Sequence, residues 1–188
     1  SDYLETNETL PVMSRVAPGE VAATVPEHPP EEGEAMESIL ADFRRDVMPG
    51  VTHWNHPRFF AYFPANNSFP SILGELLSAG LGVNAMLWQT SPAATELEQR
   101  VVGWLGEMIG LPPGFHGCIQ DTASTATLTA LVCARERTTG FAGNAEGPAA
   151  AQGLRIYASH EAHSSVVKGA RIAGFGDTNI VPVATGPD

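Results

Sequence analysis

Two short strand-like runs, Leu154-Arg155-Ile156-Tyr157-Ala158 and Asn179-Ile180-Val181-Pro182-Val183, are separated by one helical segment, Ala162 to Ile172. A further helical segment, through Leu128, Leu131 and Ala134 to Arg137, precedes them. An α, β, α, β order of this kind restricts the fold to a three-layer α/β domain with strands between helices. Gly117-Cys118-Ile119-Gln120 reads as another short strand or the end of one. Two or three strands are few for an open parallel sheet covered on both faces. The expectation is therefore that the sequence stops partway through this domain at Asp188.

The preceding half reads as helical. Residues 1–31 are punctuated by Pro11, Pro18, Pro26, Pro29 and Pro30 and hold no apolar period, so they are expected to be irregular. They read as a linker or as an arm laid over a partner, and Leu10, Val12, Met13 and Val16, too apolar for a pure spacer, speak for the arm. From Glu34, Met36, Ile39, Leu40, Phe43 and Val47 follow helical spacing until Pro49-Gly50. Six of the chain's fourteen Phe, Trp and Tyr residues then fall between Trp54 and Phe69, as a packed core layer or as the wall of an apolar pocket. Pro70 opens a helix with Ile72, Leu73, Leu76 and Leu77 on one face, ended by Gly80 and Gly82. Ser91-Pro92 starts the next, with Leu97, Val101, Trp104, Leu105, Met108 and Ile109 as its buried stripe. Residues 138–152, rich in Gly, Ala, Thr and Asn, are expected to be a flexible surface loop.

Composition removes several classes of function. Ten Lys and Arg against 21 Asp and Glu give a net charge of −11, without the basic footprint that nucleic acid requires. No apolar run reaches the roughly 18 residues of a membrane span. The acidic opening Ser1-Asp2-Tyr3-Leu4-Glu5 does not read as a secretory leader. Cys118 and Cys133 make neither a disulfide framework nor a zinc set, and no metal site is expected. A soluble cytoplasmic protein is the expectation.

Three places could carry chemistry. Asp121-Thr122-Ala123-Ser124-Thr125 stands at a strand-to-helix turn, where free N–H groups and the helix dipole favour a phosphate. Simple capping is the alternative, and the Asp121 carboxylate would have to face away from an anion. Ser159-His160-Glu161-Ala162-His163-Ser164-Ser165 follows a strand, where open α/β sheets bind ligands. A histidine there can act as base, stack on a planar ring, cap a helix or, as the His160/His163 pair, touch a metal. The third is Lys168, the only lysine, which is a Schiff-base candidate if buried and a solvated surface group otherwise.

Five stretches occur in order and in register: Val51-Thr52-His53-Trp54, Phe59-Phe60-Ala61-Tyr62-Phe63-Pro64, Ser91-Pro92-Ala93-Ala94-Thr95-Glu96-Leu97-Glu98, Ile119-Gln120-Asp121-Thr122-Ala123-Ser124 and Ala162-His163-Ser164-Ser165. Together they closely resemble the group II pyridoxal-phosphate-dependent amino-acid decarboxylases of the aromatic L-amino-acid type, from about residue 34 onward. The resemblance implies an α/β, fold-type I (aspartate-aminotransferase-like) subunit. Residues 1–110 would be an N-terminal arm and helical dimerisation segment, exchanged across a homodimer. Residues 111–188 would begin the large pyridoxal-phosphate-binding α/β domain. Ala123 and Ser124 would hold the cofactor phosphate, and His163 would stack on the pyridine ring. Trp54, Tyr62, Phe63 and Pro64 would line the substrate side pocket, with Met86 at its floor. The implied reaction is decarboxylation of an aromatic L-amino acid, a small-molecule substrate, to its amine, with the bond to the carboxylate held perpendicular to the cofactor ring.

The sequence departs from the family pattern in places. Asp121-Thr122-Ala123-Ser124 replaces Gly-Ser-Ala-Ser, Ala65 stands where threonine is common, and Met86, two residues after Asn84, replaces an aromatic residue. Lys168 does not match the motif of the Schiff-base lysine. In this family that lysine, the aspartate paired with the pyridinium nitrogen and the mobile catalytic loop all lie further along. The expectation is that these 188 residues alone are inactive and require the rest of the subunit. The alternatives are a glutamate, histidine or diaminobutyrate decarboxylase, an aromatic aldehyde synthase, or a non-catalytic dimerisation fragment.

Overall fold

The computed structural model describes residues 2–64 and 67–186. Ala65 and the end of the chain at Asp188 lie outside the described residues. The backbone forms two compact units, Ser1–Val83 and Asn84–Asp188.

The first unit is made of short helices. α1 (Asp2–Thr6) continues into a 3-10 turn (Asn7–Thr9), α2 spans Glu20–Thr24 and α3 spans Met36–Asp42. The irregular stretch expected over residues 1–31 thus contains single helical turns. They are set by local side-chain bonds rather than by an apolar period: the Thr6 hydroxyl donates to the Asp2 carbonyl at 2.6 Å, and the Glu20 carboxylate accepts the Ala17 N–H at 2.8 Å. α3 widens into a π-helical turn (Phe43–Val47) and tightens into a 3-10 turn (Met48–Gly50) before the chain extends at Val51.

α4 (Phe69–Leu81) begins with a reciprocal cap. Ser71 N–H donates to the Ser68 hydroxyl at 3.3 Å, Ser68 N–H donates to the Ser71 hydroxyl at 3.0 Å, and Gly82 closes the helix at φ 58°. Ser68→Ala is expected to cost about 1 kcal/mol, read as a lower urea midpoint at unchanged slope.

The second unit contains α5 (Pro92–Met108), α6 (Ala123–Thr139), α7 (Gly143–Glu146), β1 (Ile156–Ser159), α8 (Ser165–Ile172) and β2 (Ile180–Val183). The two strands pair in parallel, from Ile156 opposite Ile180 to Ser159 opposite Val183. α8 is the crossover between them, as the order of runs in the sequence requires. Ala151, Ala170, Ala173 and Phe175 form the buried centre, with Leu128, Leu131, Val132, Leu154, Ile156 and Ile180 packed around it. Arg171 grips Asp177 with two bonds of 2.6 and 2.8 Å, and these hold the Asp177 carboxyl below its ordinary range.

α6 and α8 run in the same direction. Gly169 faces Leu128 and Leu131, and just past the end of α8 the Ala173 carbonyl accepts from Arg135 at 2.6 Å. A Cβ on Gly169 would lie 3.2 Å from the flexible end of Leu131 and 3.6 Å from Leu128 Cα, so the packed helices leave room for little more than a methyl group there. This parallel pairing brings the starts of α6 and α8 to one end of the packed pair.

Three expectations are corrected. Gly117–Gln120 is not a strand: the Ile119 N–H donates to the Glu98 carboxylate at 2.7 Å instead of joining a ladder. Residues 138–152 are not an open loop. α7 and a 3-10 turn (Gly147–Ala151) fold them back, because small side chains let Ala151 enter the core. The apolar stripe of α5 is not buried: Met108 is 78% exposed and Leu97, Trp104, Leu105 and Ile109 are also exposed.

Candidate functional site

At the start of α6, Thr122 is the cap. Its hydroxyl accepts from the Thr125 N–H at 3.2 Å. The first-turn N–H groups of Ala123 and Ser124 lie ahead of that bond, at the positive end of a 17-residue helix, and both residues are exposed. The bare capping reading and the phosphate reading are therefore compatible: Thr122 satisfies one donor and leaves its neighbours for an anion.

The start of α8 is organised by His163. Its Nδ1 accepts from the Ser165 N–H at 3.2 Å and lies 3.0 Å from the Ser165 hydroxyl. With Nδ1 so engaged, the proton of the neutral ring sits on Nε2. Ser165 is buried, which anchors the ring, whereas His163 is itself exposed at the mouth formed after β1. Ala123, Ser124 and His163 thus share the end of the α6/α8 pair that lies beyond the carboxyl ends of the parallel strands, the customary ligand position of such sheets.

Other candidates in this unit stand apart from that role. Lys168 is exposed on α8, the setting of a solvated lysine. His160 is exposed and its N–H donates to the Val183 carbonyl at 3.1 Å. Among the described residues no group of three or more His, Cys, Asp or Glu is placed to hold a metal ion. Met86 is exposed in a turn where its N–H donates to the Asn84 side chain at 2.8 Å.

The aromatic stretch of the first unit forms a stack. Trp54 lies against Phe59 at 5.0 Å between ring centroids and against Tyr62 at 5.4 Å with the rings 8° apart. Tyr62 adopts φ 57°, a conformation that a bulky side chain rarely takes, at the tip of this loop. Trp54 and Pro64 help to line a cavity of about 620 Å³, while Phe63 stands clear of it at 98% exposure. Three buried polar residues here escaped the sequence reading: Asn7, His53 and His56. The available signal was the pair of histidines three residues apart around Trp54, in a run otherwise given to apolar packing.

The comparisons with known proteins agree with one another. Residues 18–186 match the profile described as the pyridoxal-dependent decarboxylase conserved domain. The chain is 41% identical over 185 residues to a phenylacetaldehyde synthase of Arabidopsis thaliana, covering 95% of this chain and 37% of that protein. It is 40% identical over 181 residues to tyrosine decarboxylase 2 of Narcissus pseudonarcissus, covering 93% and 35%. The crystal structure of Oryza sativa TDC with PLP and tryptamine superposes with a TM-score of 0.87 at 35% identity, over 98% of this chain and 41% of that one. The chain therefore spans well under half the length of the proteins it matches.

Proposed function

The chain belongs to the pyridoxal-dependent decarboxylase family, and from that premise we propose that it is part of a homodimeric cytoplasmic enzyme that decarboxylates an aromatic L-amino acid. The observation that carries the reading is the common placement of Ala123, Ser124 and His163 at one end of α6 and α8. A helix start with free donors suits the phosphate of pyridoxal phosphate, and an exposed, anchored imidazole suits its ring, so the residues fit the cofactor. When bound, that cofactor supplies the electron sink for the pair left as carbon dioxide departs.

The chain's own residues would bind and orient. The Ala123 and Ser124 N–H groups and the Ser124 hydroxyl hold the phosphate. The Asp121 side chain is exposed and free to turn from it. The His163 ring, fixed through Nδ1, presents its face to the pyridine. The Trp54 stack, which includes Phe59 and Tyr62, and Pro64 offer a flat apolar wall to an aromatic side chain. The chain's one lysine, Lys168, is exposed on α8, which supports a requirement for residues elsewhere in the subunit. The uncovered apolar faces of α4 and of α5 support a homodimer. Two free cysteines suit a reducing compartment. No helix among the described residues is long and apolar enough to cross a membrane.

The test is an absorbance scan of the full subunit for the cofactor band, followed by product analysis with Tyr, Trp, Phe, Dopa and Glu. Amines from the aromatic substrates alone support the proposal, and turnover of Glu alone overturns it. The similarity to a phenylacetaldehyde synthase favours one second reading, aldehyde formation, which the same product analysis separates from amine formation.

A further inference from the structure

The N-terminal segment is tied to the aromatic turn by side chains whose polar atoms are used in full view of the wall. His56, only 6% exposed, accepts the Arg58 N–H at Nδ1 (2.9 Å), so its proton lies on Nε2, which donates to the Glu8 carbonyl at 3.3 Å. Asn7 donates to the Asn55 carbonyl at 2.8 Å, and the Tyr3 hydroxyl lies 2.9 Å from Nδ1 of His53, itself 2% exposed. These bonds join residues about 50 positions apart, and the turn they hold carries Trp54 and Phe59. The N-terminal segment also reaches the cavity itself: Leu4 and Asn7 line it beside Trp54, His56, Phe59 and Pro64.

We infer that residues 2–9 act as a clamp on the aromatic wall, with His56 as a positioning residue that sets how tightly a substrate side chain is held. The inference rests on the aromatic-substrate reading above. His56 touches neither the reacting atoms nor the cofactor in this role. It fixes the angle of the Trp54–Phe59 turn against Glu8, so its loss should weaken substrate binding while leaving the chemical step intact.

Two substitutions divide the ring's functions. In His56→Asn the amide oxygen replaces Nδ1 and keeps the turn to Arg58, but the side chain no longer reaches Glu8. In His56→Gln the amide nitrogen replaces Nε2 and keeps the tether. In the full cofactor-loaded enzyme, His56→Asn should raise KM for the aromatic substrate about three- to tenfold, the range of one hydrogen bond, with kcat within about twofold. His56→Gln should stay close to wild type. Hydrogen exchange over residues 2–9 should quicken in His56→Asn and not in His56→Gln. Unchanged KM in His56→Asn, or an equal fall of kcat in both variants with loss of cofactor, would overturn the positioning role. If the wild type turns over no aromatic amino acid, the functional reading fails by itself. The clamp is then judged on exchange: unchanged rates in His56→Asn overturn it, and quickening reversed in His56→Gln bears it out.

Discussion

Gly169→Val is expected to destabilise the second unit by about 1–3 kcal/mol and to weaken cofactor binding in the same protein. The contact geometry separates this substitution from the milder Gly169→Ala. An alanine Cβ would meet the flexible end of Leu131 at 3.2 Å, which can yield, and alanine gains about 0.5–1 kcal/mol of helix propensity over glycine. Valine adds methyl groups toward the Leu128 backbone, whose Cα and N would lie 3.6 and 3.7 Å from the Cβ and move only if α6 moves. Since α6 carries Ala123 and Ser124 while α8 follows His163, spreading the helices separates the two halves of the proposed cofactor site. Urea unfolding checks the first effect, and titration with pyridoxal phosphate checks the second. Gly169→Ala with near-native values in both would show that the bulk of the side chain, not the loss of glycine, is responsible. Native stability in Gly169→Val would refute the packing argument.

The parts of the fold that were legible in the sequence are those whose signals are local. Pro92 after Ser91, the Gly82 stop and the strand-like runs around Ile156 and Val181 each state their conformation within a few residues. Even there the mechanism shifted: Ser91 caps α5 through its carbonyl, which accepts from the Thr95 N–H and hydroxyl, and not through its side chain. Features that depend on distant residues were not legible. Nothing near His56 announces Glu8, and nothing near Ala151 announces the core that receives it. Glu136 is a further case. It is buried on α6 with Arg135 at 2.8 Å and one carboxylate oxygen without a hydrogen-bond partner among the described residues, and it lies so close to Gly143 that a Cβ there would collide with it. The candidate site was visible as motifs, because His163 and Ala123-Ser124 follow strand or turn signals. Their convergence depends on the parallel packing around Gly169, which spacing does not express. The α5 stripe shows the converse: its apolar period is real, yet periodicity reports which face seeks cover and not what supplies it.

His163 is expected to give the largest functional effect, and its two contacts allow the structural and catalytic parts to be measured apart. Removing the ring as His163→Ala would also strip an acceptor from the Ser165 N–H, and Ser165 is buried, so about 1–3 kcal/mol of stability would be lost with the activity. His163→Asn keeps an acceptor where Nδ1 stands and deletes only the ring. His163→Phe keeps a ring and deletes the acceptor. Under the proposed function, His163→Asn should retain the unfolding midpoint and lose about 10²–10³-fold in kcat, the scale of one preorganised group at a reacting centre. His163→Phe should bind cofactor within several-fold of wild type, since ring stacking contributes about 0.5–1.5 kcal/mol, and should unfold at lower urea. Steady-state kinetics, cofactor titration and urea unfolding on the two variants decide the matter. If His163→Asn keeps full activity, the ring does not serve the cofactor, and His163 is only the anchor of α8. If both variants lose activity in proportion to stability, the residue acts through the fold, and Ala123 and Ser124 are left as the chain's whole contribution to holding pyridoxal phosphate.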